Sequence, residues 1–148
     1  MSLRSHFVNA FRLEPKLPGD KSITHRAYIL GALAKGETLV RGANPGADCR
    51  GTLAAVGRLG ARVTEQGDQV RIAGTSGRFE RPDRVLDLGN SGTGLRLLLG
   101  ALAAQPFTVT LTGDASLCRR PVERVLGPLR AMGAQASADG DHPPVTLT

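Results

Sequence analysis

Apolar residues recur along the chain in short helical and alternating runs, and glycine or proline separates nearly every run. After Pro18-Gly19, a turn signal, Ile23, Ala27, Leu30 and Ala34 return at three- and four-residue intervals. That spacing predicts a helix over about 22–34 with those positions on its core face. Lys35-Gly36 supplies a cation and a glycine suited to its end. Thr38–Val40 reads as a strand and Asn44-Pro45-Gly46 as a turn, and Asp48 is suited to cap a second helix reaching Leu59 and closed by Gly60. Ala61–Thr64 and Gln69–Ile72 then alternate as a hairpin about Gly67-Asp68. Ahead of all this, residues 1–17 read as an extended lead-in, with Phe7, Ala10 and Leu13 apolar and Pro15 and Pro18 opposing helix.

The same order then returns. Val85–Leu88 reads as a strand, Gly89–Gly94 as a glycine-rich turn, Leu95–Ala104 as a helix, Phe107–Thr112 as a strand and Gly113-Asp114 as a turn. A fourth helix begins near Pro121, a residue suited to a first helical position, with Val122, Val125, Leu129 and Met132 on one face. Pro128 inside it predicts a kink or a short break. Gln135–Ser137 and Val145–Leu147 form a last hairpin. Leu30-Gly31-Ala32-Leu33-Ala34 recurs identically as Leu99–Ala103, and Arg58-Leu59-Gly60-Ala61 is echoed by Arg130-Ala131-Met132-Gly133-Ala134. Ser22…Arg26 has its counterpart in Ser91…Arg96. The chain is therefore an internal repeat: an α/β (α+β) fold of βαβαββ units, about two present, over about 18–74 and 85–148. The chain stops at Val145-Thr146-Leu147-Thr148 in what reads as a strand with a raw end. A larger protein, or one half of a split one, is expected, with a C-terminal complement or self-association through unpaired strands.

At 148 residues and 41% hydrophobic content, one ordinary domain with its own core is expected. The charge is +6, but the basic residues are scattered and aromatic content is only 3%, which leaves few rings for base stacking. Small anions are favoured over nucleic acid as partners. No apolar run approaches the ~20 residues of a membrane span, so no membrane partner is expected. Cys49 and Cys118 are too few for a disulfide framework and lack metal-ligand spacing. With no apolar leader at the N-terminus, two reduced thiols in a cytoplasmic protein are expected.

Three stretches carry candidate chemistry. Pro18–Arg26 puts Lys21 and Ser22 at a helix start, where free N–H groups and the helix dipole favour anions. Arg26 lies one turn further on the face of Ser22. Gly89-Asn90-Ser91-Gly92-Thr93-Gly94-Leu95-Arg96 exposes backbone N–H groups in the same way but is not a GxGxxG dinucleotide motif. Arg119-Arg120-Pro121 can aim a guanidinium into a shared cleft, with the bidentate grip that lysine lacks. A P-loop is excluded by Asp20 and Pro15 where that motif needs glycines. Asp48, Asp87 and Asp114 read as caps or hydrogen-bond acceptors, and His25, about 100° round the helix from Arg26, as a core residue.

PGDKSITHR at 18–26, LGNSGTGLR at 88–96 and GDASLCRRP at 113–121 resemble the three signatures of the 5-enolpyruvylshikimate-3-phosphate (EPSP) synthase family, in order and over nearly the whole chain. GDASL and VLGPLRAMGA (125–134) look more like the second bacterial class of that family. The resemblance implies a transferase that moves the enolpyruvyl group of phosphoenolpyruvate to the 5-hydroxyl of shikimate 3-phosphate and releases phosphate, with no metal and no cofactor. By position, Lys21 resembles the catalytic lysine that touches both substrates. Ser22 and Arg26 resemble residues that hold shikimate 3-phosphate. Gly92 and Arg120 resemble phosphoenolpyruvate-binding positions, and Asn90, Thr93 and Arg96 line the same turn. The related UDP-N-acetylglucosamine enolpyruvyl transferase differs: it has asparagine where Ser22 stands, and its reactive cysteine aligns with Ala115, not with Cys118. Family members form two lobes of three βαβαββ units each, an inside-out prism, and their first residues cross to the other lobe. The later acidic and basic residues of the family have no counterpart here, so the chain alone is expected to be inactive and to keep part of one substrate site. The alternative is a non-catalytic binding module that needs a partner chain.

Overall fold

In the computed structural model, which describes residues 17–148 and, before them, Arg4, His6, Ala10, Arg12, Glu14 and Pro15, the repeat is visible element by element. The apolar positions Phe7 and Leu13 of the lead-in lie outside the described residues. The first half runs α1 (Lys21–Leu33), β1 (Glu37–Arg41), α2 (Ala47–Arg58), β2 (Arg62–Gln66) and β3 (Gln69–Ala73). The second runs β4 (Leu86–Asp87), α3 (Gly92–Leu102), β5 (Val109–Thr112), a 3-10 turn (Leu117–Arg119), α4 (Glu123–Ala131), β6 (Ala136–Asp139) and β7 (His142–Leu147). Strands β1, β3 and β2 lie in that order, all antiparallel, and β5, β7 and β6 repeat the arrangement. Among the described residues only the second sheet has a fourth strand, β4, parallel to β5. The matching edge of β1 is open among the described residues.

The ends of the elements repeat as well. α2 and α4 both close on a Schellman-type turn. Ala61 N donates to Val56 O at 3.2 Å and Ala134 N to Leu129 O at 3.0 Å, about Gly60 (φ +97°) and Gly133 (φ +99°). The identical LGALA segments place the last helical residues at Leu33 and Leu102. One core joins the halves. Ile29, Ala32, Val56 and Ile72 from the first meet Leu95, Leu98, Leu99, Leu102 and Leu111 from the second.

Three helix expectations change. α1 buries Thr24, His25, Tyr28, Ile29, Gly31 and Ala32, while Ile23 and Leu30 are 69% and 64% exposed. The helix is clamped between α2, α3 and its own sheet, so two adjacent faces are covered in place of the single stripe that spacing suggests. α2 is capped at Gly46, not Asp48, whose side chain is engaged elsewhere. α4 starts at Glu123 and continues through Pro128 without a break. It buries Val122 and Leu126, whereas Met132 is 83% exposed because the chain turns at Gly133. Its first amides are held from outside by Asp141, whose Oδ1 accepts from Glu123 N at 2.6 Å and Val122 N at 3.1 Å.

Candidate functional site

Both α1 and α3 begin on side-chain caps, and the candidate residues gather at those two ends. Asp20 caps α1, its Oδ1 accepting from Ile23 N at 2.7 Å. Ser22 is therefore not the cap; it sits exposed in the first turn. The loop ahead of the helix is pinned to the loop after β1. Asn44 Nδ2 donates to Gly19 O at 2.9 Å, and Asn44 N donates to Thr24 Oγ1 at 3.0 Å. Lys21 forms an ion pair with Asp48 of α2, about half its side chain remaining exposed. Arg26 reaches back along its own helix and donates to Ser22 O at 3.0 Å. Its stem borders a groove with Leu30, Leu33, Leu97 and Ala101 between α1 and α3. Lys21 and Arg26 are thus directed to different neighbours.

At the second end Ser91 is fully buried and caps α3, its Oγ accepting from Gly94 N at 3.1 Å. Ser91 thus caps α3 as Asp20 caps α1; in the register of the LGALA segments Ser22 stands opposite Ser91, and Arg26 opposite Leu95 beside Arg96. Gly92 opens the helix, and a Cβ there would lie 2.8 Å from Arg96 Nη1 and 3.1 Å from Arg120 Nη1. Two guanidinium groups thus converge on a backbone without a side chain, at a helix N-terminus whose dipole favours anions. Arg96 donates to Gly92 O and to Pro121 O, both at 3.2 Å, and its buried Nε has no partner. Arg120 donates to Asn90 Oδ1. Thr93 lies half-buried in the first turn of α3. Asp48 and Asn90 border one cavity of about 430 Å³ between α2 and the turn after β4. The group that holds Lys21 and the group that holds Arg120 therefore face a common space.

The charges are unbalanced. Among the described residues no carboxylate forms an ion pair with Arg26, Arg96 or Arg120. Burial lowers the Arg96 pKa from its ordinary value, and the nearby Arg124 and Arg120 lower it further. An anion would relieve that repulsion. The Asp114 pKa is lowered too, which for a carboxyl group favours the charged form. The Leu117 N–H bond holds its carboxyl below the usual carboxylate range; desolvation opposes this, and Asn90, Ser116 and Arg120 add to the lowering.

His25 is fully buried, with Nδ1 2.8 Å from Thr52 Oγ1 and Nε2 unpartnered. Burial, then Lys21, lowers its pKa below the ordinary 6.5, with Asp48 opposing. It is a neutral core residue, as its place on the helix suggested. The unfolded chain takes up this proton more readily than the folded one, so the contribution to stability is complete above about pH 6.5 and declines as pH falls below it. His25→Gln is expected to flatten the loss of thermal stability between about pH 7 and 5. An unchanged slope would assign that loss to other groups. Both cysteines are free; Cys49 is buried, and burial pushes its thiol up.

Of the residues picked from sequence, the structure groups Asn90, Gly92, Arg96 and Arg120 at one helix end, and Lys21, Ser22 and Arg26 about the other. Sequence reasoning read Asp48 and Asp114 only as caps or acceptors. Asp48 is the counter-ion of Lys21, and Asp114 accepts from Asn90 Nδ2 at 3.0 Å. The Gly-Asp turn signal locates Asp114, but nothing local indicates that its partner is 24 residues away.

Comparison with known proteins adds an independent observation. The family model described as EPSP synthase (3-phosphoshikimate 1-carboxyvinyltransferase) matches residues 10–147. A 3-phosphoshikimate 1-carboxyvinyltransferase of Brevibacillus brevis is 46% identical over 135 residues, covering 89% of this chain and 32% of the relative. One from Geobacillus thermodenitrificans is 47% identical over 143 residues, covering 95% of this chain and 33% of the relative. The solved structure of EPSP synthase from Acinetobacter baumannii superposes with a TM-score of 0.86 at 44% identity, over 88% of this chain and 30% of that one. The chain spans about a third of the length of the curated relatives it matches.

Proposed function

The chain belongs to the EPSP synthase family, and on that premise we propose that it supplies the N-terminal part of the substrate site of a 3-phosphoshikimate 1-carboxyvinyltransferase. Lys21, Ser22 and Arg26 would hold shikimate 3-phosphate, and Lys21, Gly92 and Arg120 phosphoenolpyruvate, with Asn90, Thr93 and Arg96 in support. The observation that carries this reading is the cradle at Gly92. Two arginines without carboxylate partners converge there on a helix N-terminus, an arrangement suited to a phosphate or carboxylate.

The residues present can bind and orient. Clustered cations offset the repulsion between two polyanions held side by side, and orientation can contribute much of a bimolecular rate. Lys21 must leave Asp48 to reach a substrate; since the Lys21 side chain is half-exposed and Asp48 partly so, that exchange costs little. The remaining residues of the site would come from a C-terminal complement, for which the exposed Ile23 and Leu30 offer an apolar face. Turnover regained on mixing the chain with that complement would support a split transferase over a simple binding module. Among the described residues no helix is long and apolar enough to cross a membrane, and we place the protein in the cytoplasm.

Calorimetric titration of this chain with shikimate 3-phosphate tests the reading. Saturable binding is expected, weakened at least about tenfold by Lys21→Ala or Arg26→Ala, the loss of a charged hydrogen bond. No binding by the folded chain, or wild-type affinity in both variants, would contradict it.

A further inference from the structure

We propose that Asp114 is a positioning residue for Arg120, acting through Asn90 and without touching a ligand. The proposal deepens the anion-cradle reading and rests on it. Three bonds define the relay. Leu117 N donates to Asp114 Oδ1 at 2.8 Å, Asn90 Nδ2 donates to Asp114 Oδ2 at 3.0 Å, and Arg120 Nη2 donates to Asn90 Oδ1. The two loops are also joined through the backbone, Asp114 N donating to Gly89 O at 2.9 Å. Gly113 permits this approach, since a Cβ there would lie 2.3 Å from Gly89 O.

The logic lies in the two ends of the Asn90 amide. An asparagine can present either its carbonyl or its NH2 to a neighbour, and the network decides which. A carboxylate accepts and cannot donate. Asp114 therefore draws the NH2 of Asn90 to itself and leaves the carbonyl for Arg120. Arg120 is then held with Nη1 beside Gly92, next to Arg96 Nη1. Without that acceptor, repulsion from Arg96 would push the guanidinium away from the cradle.

Asp114→Asn tests this with almost no change in shape. The Leu117 N–H keeps the new amide's carbonyl at Oδ1, so the new NH2 faces the NH2 of Asn90. Asn90 must turn over, and its NH2 then opposes the guanidinium. The direction of the effect separates positioning from simple charge. Removing a carboxylate near an anion site would tighten anion binding by Coulomb's law; losing the relay weakens it.

Sulfate, which keeps its charge across the working pH range, is the probe, titrated into the 148-residue chain. Asp114→Asn is expected to weaken sulfate binding about fivefold, the equivalent of one net hydrogen bond. The side-chain amide signals of Asn90, followed by NMR without ligand, should shift in the same variant. Unchanged or tighter sulfate binding by Asp114→Asn, or unmoved Asn90 signals, would overturn the proposal. If the wild-type chain binds no sulfate, the cradle reading fails, and the Asn90 signals still decide whether the relay exists.

Discussion

Gly92→Ala is expected to weaken binding of phosphoenolpyruvate at least tenfold while leaving the melting temperature unchanged or raised. The added methyl group would meet Arg96 Nη1 at 2.8 Å and Arg120 Nη1 at 3.1 Å. Both contacts are the far ends of flexible side chains, so they yield without moving the backbone. Alanine also favours helix over glycine by up to about 1 kcal/mol, which offsets the crowding. The guanidinium groups, once displaced, no longer converge on the helix N-terminus. A charge-assisted hydrogen bond contributes about 1.5–3 kcal/mol, so losing one from the bound state gives the expected factor. Calorimetry and a thermal melt of the same variant separate the two effects. Wild-type affinity in Gly92→Ala would place the anion elsewhere.

Gly19→Ala is expected to act in the opposite way, costing about 3 kcal/mol of stability through forced backbone shifts. The Cβ would lie 2.2 Å from Gly42 O and 3.4 Å from Asn44 N, and neither atom can rotate aside. The loop ahead of α1 would lift from the loop after β1, breaking the bonds from Asn44 to Gly19 and Thr24. The melting temperature should fall by roughly 10 °C for a domain of this size, and anion binding at Lys21 should weaken with it. Gly100→Ala is the control. Nothing lies within 4 Å of its Cβ position on the exposed side of α3, so no loss of stability is expected. A melt in which Gly19→Ala matches Gly100→Ala would show that the two loops are not held together as described.

The elements were legible in the sequence because glycine marks their ends by a physical requirement. Gly60 and Gly133 close α2 and α4 in the left-handed region, and both were read as helix ends or repeat echoes. α3 was legible in its face too, since Leu95, Leu98, Leu99 and Leu102 keep helical spacing and are all buried. α1 was not. Its small residues leave the apolar pattern ambiguous, and its burial is decided by contacts that sequence spacing does not contain. Gly31 lets the β-branched Thr38 approach, while His25 and Thr52 pair across α1 and α2. Within the site, the helix-end residues Lys21 and Gly92 could be found locally, because a turn running into a helix announces itself. The roles of Asp48 and Asp114 could not, because each depends on which distant loop the fold brings alongside.

The central claim is that the two helix ends form retained parts of a substrate site. The most direct measurement is an NMR titration of the folded chain with shikimate 3-phosphate, followed by phosphoenolpyruvate, reading the backbone amides. The account predicts that shikimate 3-phosphate shifts signals from about 20–26, that phosphoenolpyruvate then shifts those of about 90–96 and 120, and that β6 and β7 stay unchanged. Shifts spread evenly over the surface, or none at either helix end, would contradict it.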